Sequence, residues 1–173
     1  ETALLLIDIQ DFYFPGGASE LEEPLPAAGN AQKILTSFRE RGLPVIHVKH
    51  NAATGADIHP LVAPIEGEPV VAKEHVNAFR DTDLLKILKN LNIRTLVVCG
   101  MQTHMCVEAA ARAGADYGFQ CIVIEDACAT RDLKFRGETV EAETVHLATL
   151  ATLNRVYAKV MTTAACLESM TQE

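Results

Sequence analysis

Continuous apolar runs alternate with helically spaced ones along this chain. "ALLLIDI" (3–9) is apolar up to the charge near its end, which suits a central strand buried on both faces. Ala27 to Arg41 carries Ile34, Leu35 and Phe38 at helical spacing, and Gly42 stops that helix. "PVIHVKH" (44–50) predicts a second strand, and "PVVAK" (69–73) a short third one. Between them, residues 51–68 hold Gly55, Pro60, Pro64 and Gly67 and predict a long loop, a lid or a pocket wall. Further on come a helix over Asp83 to Leu91, a buried strand "TLVVCG" (95–100) and a helix over 104–114. A strand "QCIVIED" (120–126), a helix over Glu138 to Asn154 and a strand "RVYAKVMT" (155–162) complete the pattern.

Strand–helix alternation predicts a mainly parallel sheet with helices on both faces, in one domain spanning residues 1–173. At 173 residues such a chain buries roughly two thirds of its unfolded surface. In sheets of this kind ligands bind beyond the carboxyl ends of the strands. That rule selects Asp8 after strand one, Lys73 at the end of the short strand, and Cys106 just past "TLVVCG".

Charge and cysteine content narrow the function classes. The net charge of −8 argues against nucleic acid or an anionic membrane as partner, because both need a basic face. No run of ~18 apolar residues predicts a membrane span. The start, "ETALLLIDIQDF", lacks the basic segment of a signal peptide and reads as a strand. Its missing Met fits a chain that begins slightly inside the natural one. Five cysteines, none in a CxxC pair, fit free thiols and a cytoplasmic setting.

Cys106 near a helix start has two readings. The helix's positive end and its unpartnered N–H groups would favour a thiolate and receive an oxyanion, with Thr103 as N-cap. Equally, free cysteine is among the most buried residue types, and position alone leaves both readings open. Asp8 alone reads as a strand-end cap, and Lys73 alone as a solvated lysine. Together the three make chemical sense. A cysteine nucleophile needs a base that later returns the proton, and a nearby ammonium holds the charges in balance.

"LLLIDIQDFYFPGG", "VVAKEHVNAF", "GMQTHMCVEAAARAGADYGF" and "VIEDACATRD" together resemble the successive signatures of the isochorismatase-like cysteine hydrolases. The resemblance runs from about residue 3 to 165. It implies a Rossmann-like three-layer α/β/α sandwich with a mainly parallel six-stranded sheet of order 3-2-1-4-5-6. It places a catalytic triad on Asp8, Lys73 and Cys106, and a non-proline cis peptide at Met101–Gln102. The N–H groups of Gln102 and Cys106 would then form the oxyanion hole. Isochorismatase proper cleaves a vinyl ether without a cysteine nucleophile, so Cys106 points to C–N hydrolysis of a small amide, carbamoyl or ureido compound.

Two alternatives stand beside that reading. Nicotinamidases of the family carry a metal, and "DIHP" (57–60) with His47 and His50 nearby offers Asp57 and His59 as ligands. The motif lies well downstream of strand two, however, and His75 is misplaced for a further ligand. The expectation is no cofactor, with Asp57 and His59 fixing the loop by hydrogen bonds. The other alternative is a non-catalytic binding scaffold, against which the intact triad counts. The substrate pocket is expected to draw on Tyr13, Phe14, Asn77, Phe79, Gln102 and His104, although core packing explains Phe79 as well. Cys99, Cys121 and Cys128 read as inert strand-end thiols, and Arg131 as a surface arginine. A small-molecule substrate and a homo-oligomer, dimer or tetramer, are expected.

Overall fold

The computed structural model describes residues 1–171. Its strands are β1 (Thr2–Ile7), β2 (Val45–His50), β3 (Val70–Lys73), β4 (Thr95–Met101), β5 (Gln120–Ala129), β6 (Leu133–Phe135), β7 (Glu138–Val140) and β8 (Ala158–Met161). Its helices are α1 (Pro24–Glu40), α2 (Leu84–Asn90), α3 (Glu108–Asp116), α4 (Ala142–Leu153) and α5 (Thr163–Thr171). Six strands form one parallel sheet of order β3-β2-β1-β4-β5-β8. This is the doubly covered α/β sheet that the alternation of patterns predicts. No described helix is long and apolar enough to cross a membrane.

The unbroken apolar run of β1 follows from its central place. Ala3, Leu5 and Ile7 pack toward α2, α3 and α4, while Leu4 and Leu6 pack toward α1 and α5. Successive side chains of a strand point to opposite faces, so a strand covered on both sides has no polar position to spare. Each fully buried leucine contributes about 1.5–3 kcal/mol relative to exposure.

Several boundaries differ from the sequence reading for identifiable reasons. Helix α1 begins at Pro24, three residues early, because proline suits the first turn of a helix. The segment 138–140, read as a helix start, pairs with β6 in a hairpin instead. Arg136 and Gly137 both adopt positive φ there, which is the two-residue turn that a twisted hairpin favours. Helix α3 continues past Gly114, where a Cβ would lie 2.9 Å from Cys121 Sγ. That glycine serves close packing rather than termination. Strand β5 runs on to Ala129, β8 is confined to 158–161, and α5 has no counterpart in the sequence reading.

One glycine controls the carboxyl end of β4 beside β1. Gly100 adopts φ +137°, and a Cβ there would run into the backbone of Ile7. The absence of a side chain lets β4 approach β1 just before Asp8. Gly100→Ala is expected to destabilise the fold by roughly 3 kcal/mol or more, since strain and a backbone clash combine. Equilibrium urea denaturation would measure this, and a loss below about 1 kcal/mol would show that the approach is dispensable.

Candidate active site

Strands β1, β3 and β4 end at the same edge of the parallel sheet, with β2 between β3 and β1, and bring Asp8, Lys73 and Cys106 to one place. Asp8 follows β1 directly, with φ +50° and its N–H donating to Val48 of β2. Lys73 ends β3 and pairs in register with His50, the last residue of β2. Cys106 lies on a π-helical turn, Thr103–Val107, between β4 and α3. Met105 and Val107 N–H groups both donate to the Gln102 carbonyl, which ties that turn to the end of β4. The Met101–Gln102 peptide is cis.

The geometry at this point is tight. Lys73 Nζ lies 2.8 Å from Asp8 Oδ2 and donates to Cys106 Sγ at 3.3 Å. Asp8 and Lys73 have 0% and 1% of their surface exposed, and Cys106 6%. Neither Asp8 oxygen completes a full hydrogen bond. The carboxylate is held as a charge beside Lys73, with lone pairs left to take a proton. His50 Nδ1 sits 3.2 Å from Lys73 Nζ on the other side.

Burial dominates the electrostatics. Desolvation raises the Asp8 pKa, against the pull of the Lys73 charge. Burial also pushes the Cys106 thiol up to about 12; the Asp8 charge adds to the rise and Lys73 opposes it. Desolvation thus opposes the thiolate that a helix N-terminus would favour. A neutral thiol beside a carboxylate of raised basicity is suited to deprotonation at the moment of attack.

Thr103 is not an N-cap. Its hydroxyl meets His146 Nδ1 at 2.8 Å and fastens the turn to α4. A cavity of about 380 Å³ is lined in part by Tyr13, His50, Gln102 and Arg131, and His50 connects it to Lys73. Gln102 Nε2 donates to the Tyr13 hydroxyl at 3.3 Å, and Arg131 Nε donates to Gln102 Oε1 at 3.0 Å. Burial is the main reason the Tyr13 pKa rises to about 12; the Gln102 hydrogen bond opposes the rise and the Asp8 charge adds to it.

The other expected pocket residues have other contacts. Phe14 stacks on the His59 ring with centroids 3.9 Å apart. Asn77 accepts the Phe79 N–H, and Phe79 packs against Tyr117 and Phe119. His104 meets Thr130. None of the four lines this cavity. Conversely, Gln10 and His50 were overlooked. Gln10 is fully buried and clamps the loop after β2, bonding His50 and Ala56. The rule that selected Asp8 and Lys73, a polar residue at a strand's carboxyl end, applies equally to His50.

The loop over 51–68 is a pinned wall. Ala52, Ala53 and Thr54 line the cavity, and the loop bonds the segment after β1 through Gly55, Asp57 and His59. His59 Nδ1 also accepts the Leu61 N–H. Glu68 fastens its far end, receiving Arg39 and standing 2.7 Å from His47 Nε2. Among the described residues, no group of three His, Cys, Asp or Glu side chains is placed to hold a metal ion.

Comparison with known proteins gives consistent matches. The family profile described as "Isochorismatase domain" matches residues 2–165. The uncharacterized isochorismatase family protein YddQ of Bacillus subtilis is 47% identical, over 96% of this chain and 99% of that protein. The isochorismatase PP1826 structure from Pseudomonas putida KT2440 superposes with a TM-score of 0.91 at 34% identity, covering 95% of this chain and 89% of that one. Maleamate amidohydrolase of Pseudomonas putida is 29% identical over 75% of this chain and 72% of that protein.

Two measurements check the electrostatics. Alkylation of Cys106 by iodoacetamide in the free protein is expected to climb with pH throughout 7 to 10, because the thiol's pKa is about 12. A plateau near neutrality, read by mass spectrometry, would show a thiolate already formed. Burial tends to raise the Glu68 pKa, but bonds from Arg39, His47 and the Ile65 N–H bring it down to about 2. A depressed carboxylate stabilises the fold above its unfolded pKa of about 4.5, and this is lost as pH falls toward 2. Glu68→Gln should lower Tm at pH 7 and narrow its gap to the parent between pH 4.5 and 2.5; an unchanged gap would overturn the assignment.

Proposed function

Because the chain belongs to the isochorismatase family of hydrolases, we propose that it is a cysteine amidohydrolase cleaving a C–N bond of a small amide, carbamoyl or ureido substrate. The observation that carries this reading is the convergence of Asp8, Lys73 and Cys106 at the carboxyl ends of β1, β3 and β4. A buried nucleophile, a base within reach and a cation beside both are what acyl transfer through sulfur requires.

The chemistry follows from the positions. Asp8 takes the Cys106 proton as Sγ attacks the substrate carbonyl carbon. The carbonyl oxygen becomes an oxyanion, received by the N–H groups of Gln102 and Cys106. As the tetrahedral intermediate collapses, the C–N bond breaks and Asp8 gives its proton to the departing amine. Water then loses a proton to the same carboxylate and attacks the thioester, and the thiol is restored. Lys73 balances the charge throughout. The family likeness to a maleamate amidohydrolase supports an amide as the bond attacked.

Ammonia release across nicotinamide, carbamoylsarcosine, ureidoacrylate and maleamate tests the activity. Cys106→Ala is expected to lower kcat by at least about 10⁴-fold, and Asp8→Asn by about 10²- to 10⁴-fold. Intact-mass spectrometry under turnover should reveal an acyl adduct on Cys106. Undiminished turnover by Cys106→Ala would overturn the mechanism.

A further inference from the structure

The Lys73 ammonium has three hydrogens and three polar neighbours to receive them. Asp8 Oδ2 lies 2.8 Å away, Cys106 Sγ 3.3 Å and His50 Nδ1 3.2 Å. Two of these neighbours belong to the proposed reaction, and the third has no part in it. A lysine paired with a buried carboxylate is charged, and an ammonium can only donate. His50 Nδ1 is therefore the acceptor and carries no proton. In a neutral imidazole the proton then sits on Nε2. The contact with Lys73 thus selects one tautomer.

The ring is also fixed in place. The His50 N–H donates to Gln10 Oε1 at 2.8 Å, and its carbonyl accepts from Gln10 Nε2 at 2.9 Å. Gln10 is fully buried, so the end of β2 is held through both backbone groups. His50 itself is half-buried and lines the cavity. Among the described residues it is the cavity-lining side chain that hydrogen-bonds the triad, and its Nε2 bonds no protein group. Gln102 on the same wall differs, because its amide is already engaged with Tyr13 and Arg131.

We propose that His50 is a specificity-determining hydrogen-bond donor of this cavity, its Nε2–H reading an uncharged acceptor oxygen on the substrate. The implied substrate is a small amide with a second carbonyl or similar oxygen beyond the scissile group. This rests on the amidohydrolase reading above. Lys73 acts on recognition through the ring, because occupying Nδ1 keeps the donor on the cavity side. An imidazole with its proton on Nδ1 would present a lone pair there and repel the same oxygen.

Nitrogen-15 NMR of the histidines tests the donor without turnover. At about pH 8, His50 Nε2 should carry the proton and Nδ1 none, with the signals assigned by their loss in His50→Asn. A proton on Nδ1 overturns the proposal. In Cys106→Ala, acetoacetamide should shift the Nε2 resonance. Butyramide, of the same chain length but without the second carbonyl, should shift it far less. Equal shifts with both amides, or none with either, overturn the proposal.

Turnover separates the proposal from the reading it rests on. His50→Asn removes the Nε2–H and leaves an amide oxygen near the Nδ1 position for Lys73. It should raise KM for acetoacetamide about three- to tenfold more than KM for butyramide, with the larger effect in KM rather than kcat. An equal loss for both amides, carried by kcat, would make His50 a positioning residue for Lys73 and overturn the donor role. Hydrolysis that persists in Cys106→Ala overturns the amidohydrolase reading instead, and the NMR result then decides the His50 donor by itself.

Discussion

Asp8 and Lys73 stand 2.8 Å apart with almost no surface exposed to water. Removing two such charges from water costs several kcal/mol each, and their attraction offsets this only when the geometry is right. Every nearby element serves that geometry. Parallel pairing of β1 with β2 and of β2 with β3 brings the ends of three strands level. Gly100 admits β4 against β1 just before Asp8. Gln10 and His50 close the far side. A hydrophobic pair of similar volume would fold as readily, so the charges are best understood through the thiol they flank.

The same burial sets the chemistry. Burial pushes the Cys106 thiol up to about 12, and the thiolate is the reactive form of a cysteine. The carboxylate that would take the proton has its own pKa raised by desolvation, which brings the two basicities closer. Low dielectric thus raises the basicity of the Cys106 sulfur and of the Asp8 carboxylate at once.

Loop and turn structure carry the rest of the site. The segment after β2 is bonded to the segment after β1 through backbone groups and the Gln10 amide. Its distal end is clasped by Glu68 to Arg39 of α1 and His47 of β2. A wall anchored at both ends presents a formed cavity to a small ligand. The chain that follows β5 contributes Arg131 to the opposite wall, and the β6–β7 hairpin projects beyond it with its side chains largely exposed.

What the sequence by itself determined is the layered architecture and the side chains that gather at one end of the sheet. Apolar runs without alternation can only be strands covered on both faces, and polar residues that end them must gather where those strands end. Asp8, Lys73 and Cys106 were legible as candidates by that rule, and the resemblance carried by four separated motifs joined them into one expected site. The pocket wall was not. Phe14 and Phe79 are aromatic in the sequence and core in the fold, since stacking on His59 and packing against Tyr117 and Phe119 are contacts between distant segments. The thiol's protonation state was also beyond pattern reading, because desolvation depends on everything packed around the group. Arg131 read as a surface residue, and it is exposed; only the tertiary structure places it across from Gln102 and Tyr13. Local chemistry is written along the chain, whereas burial and juxtaposition are properties of the packed molecule.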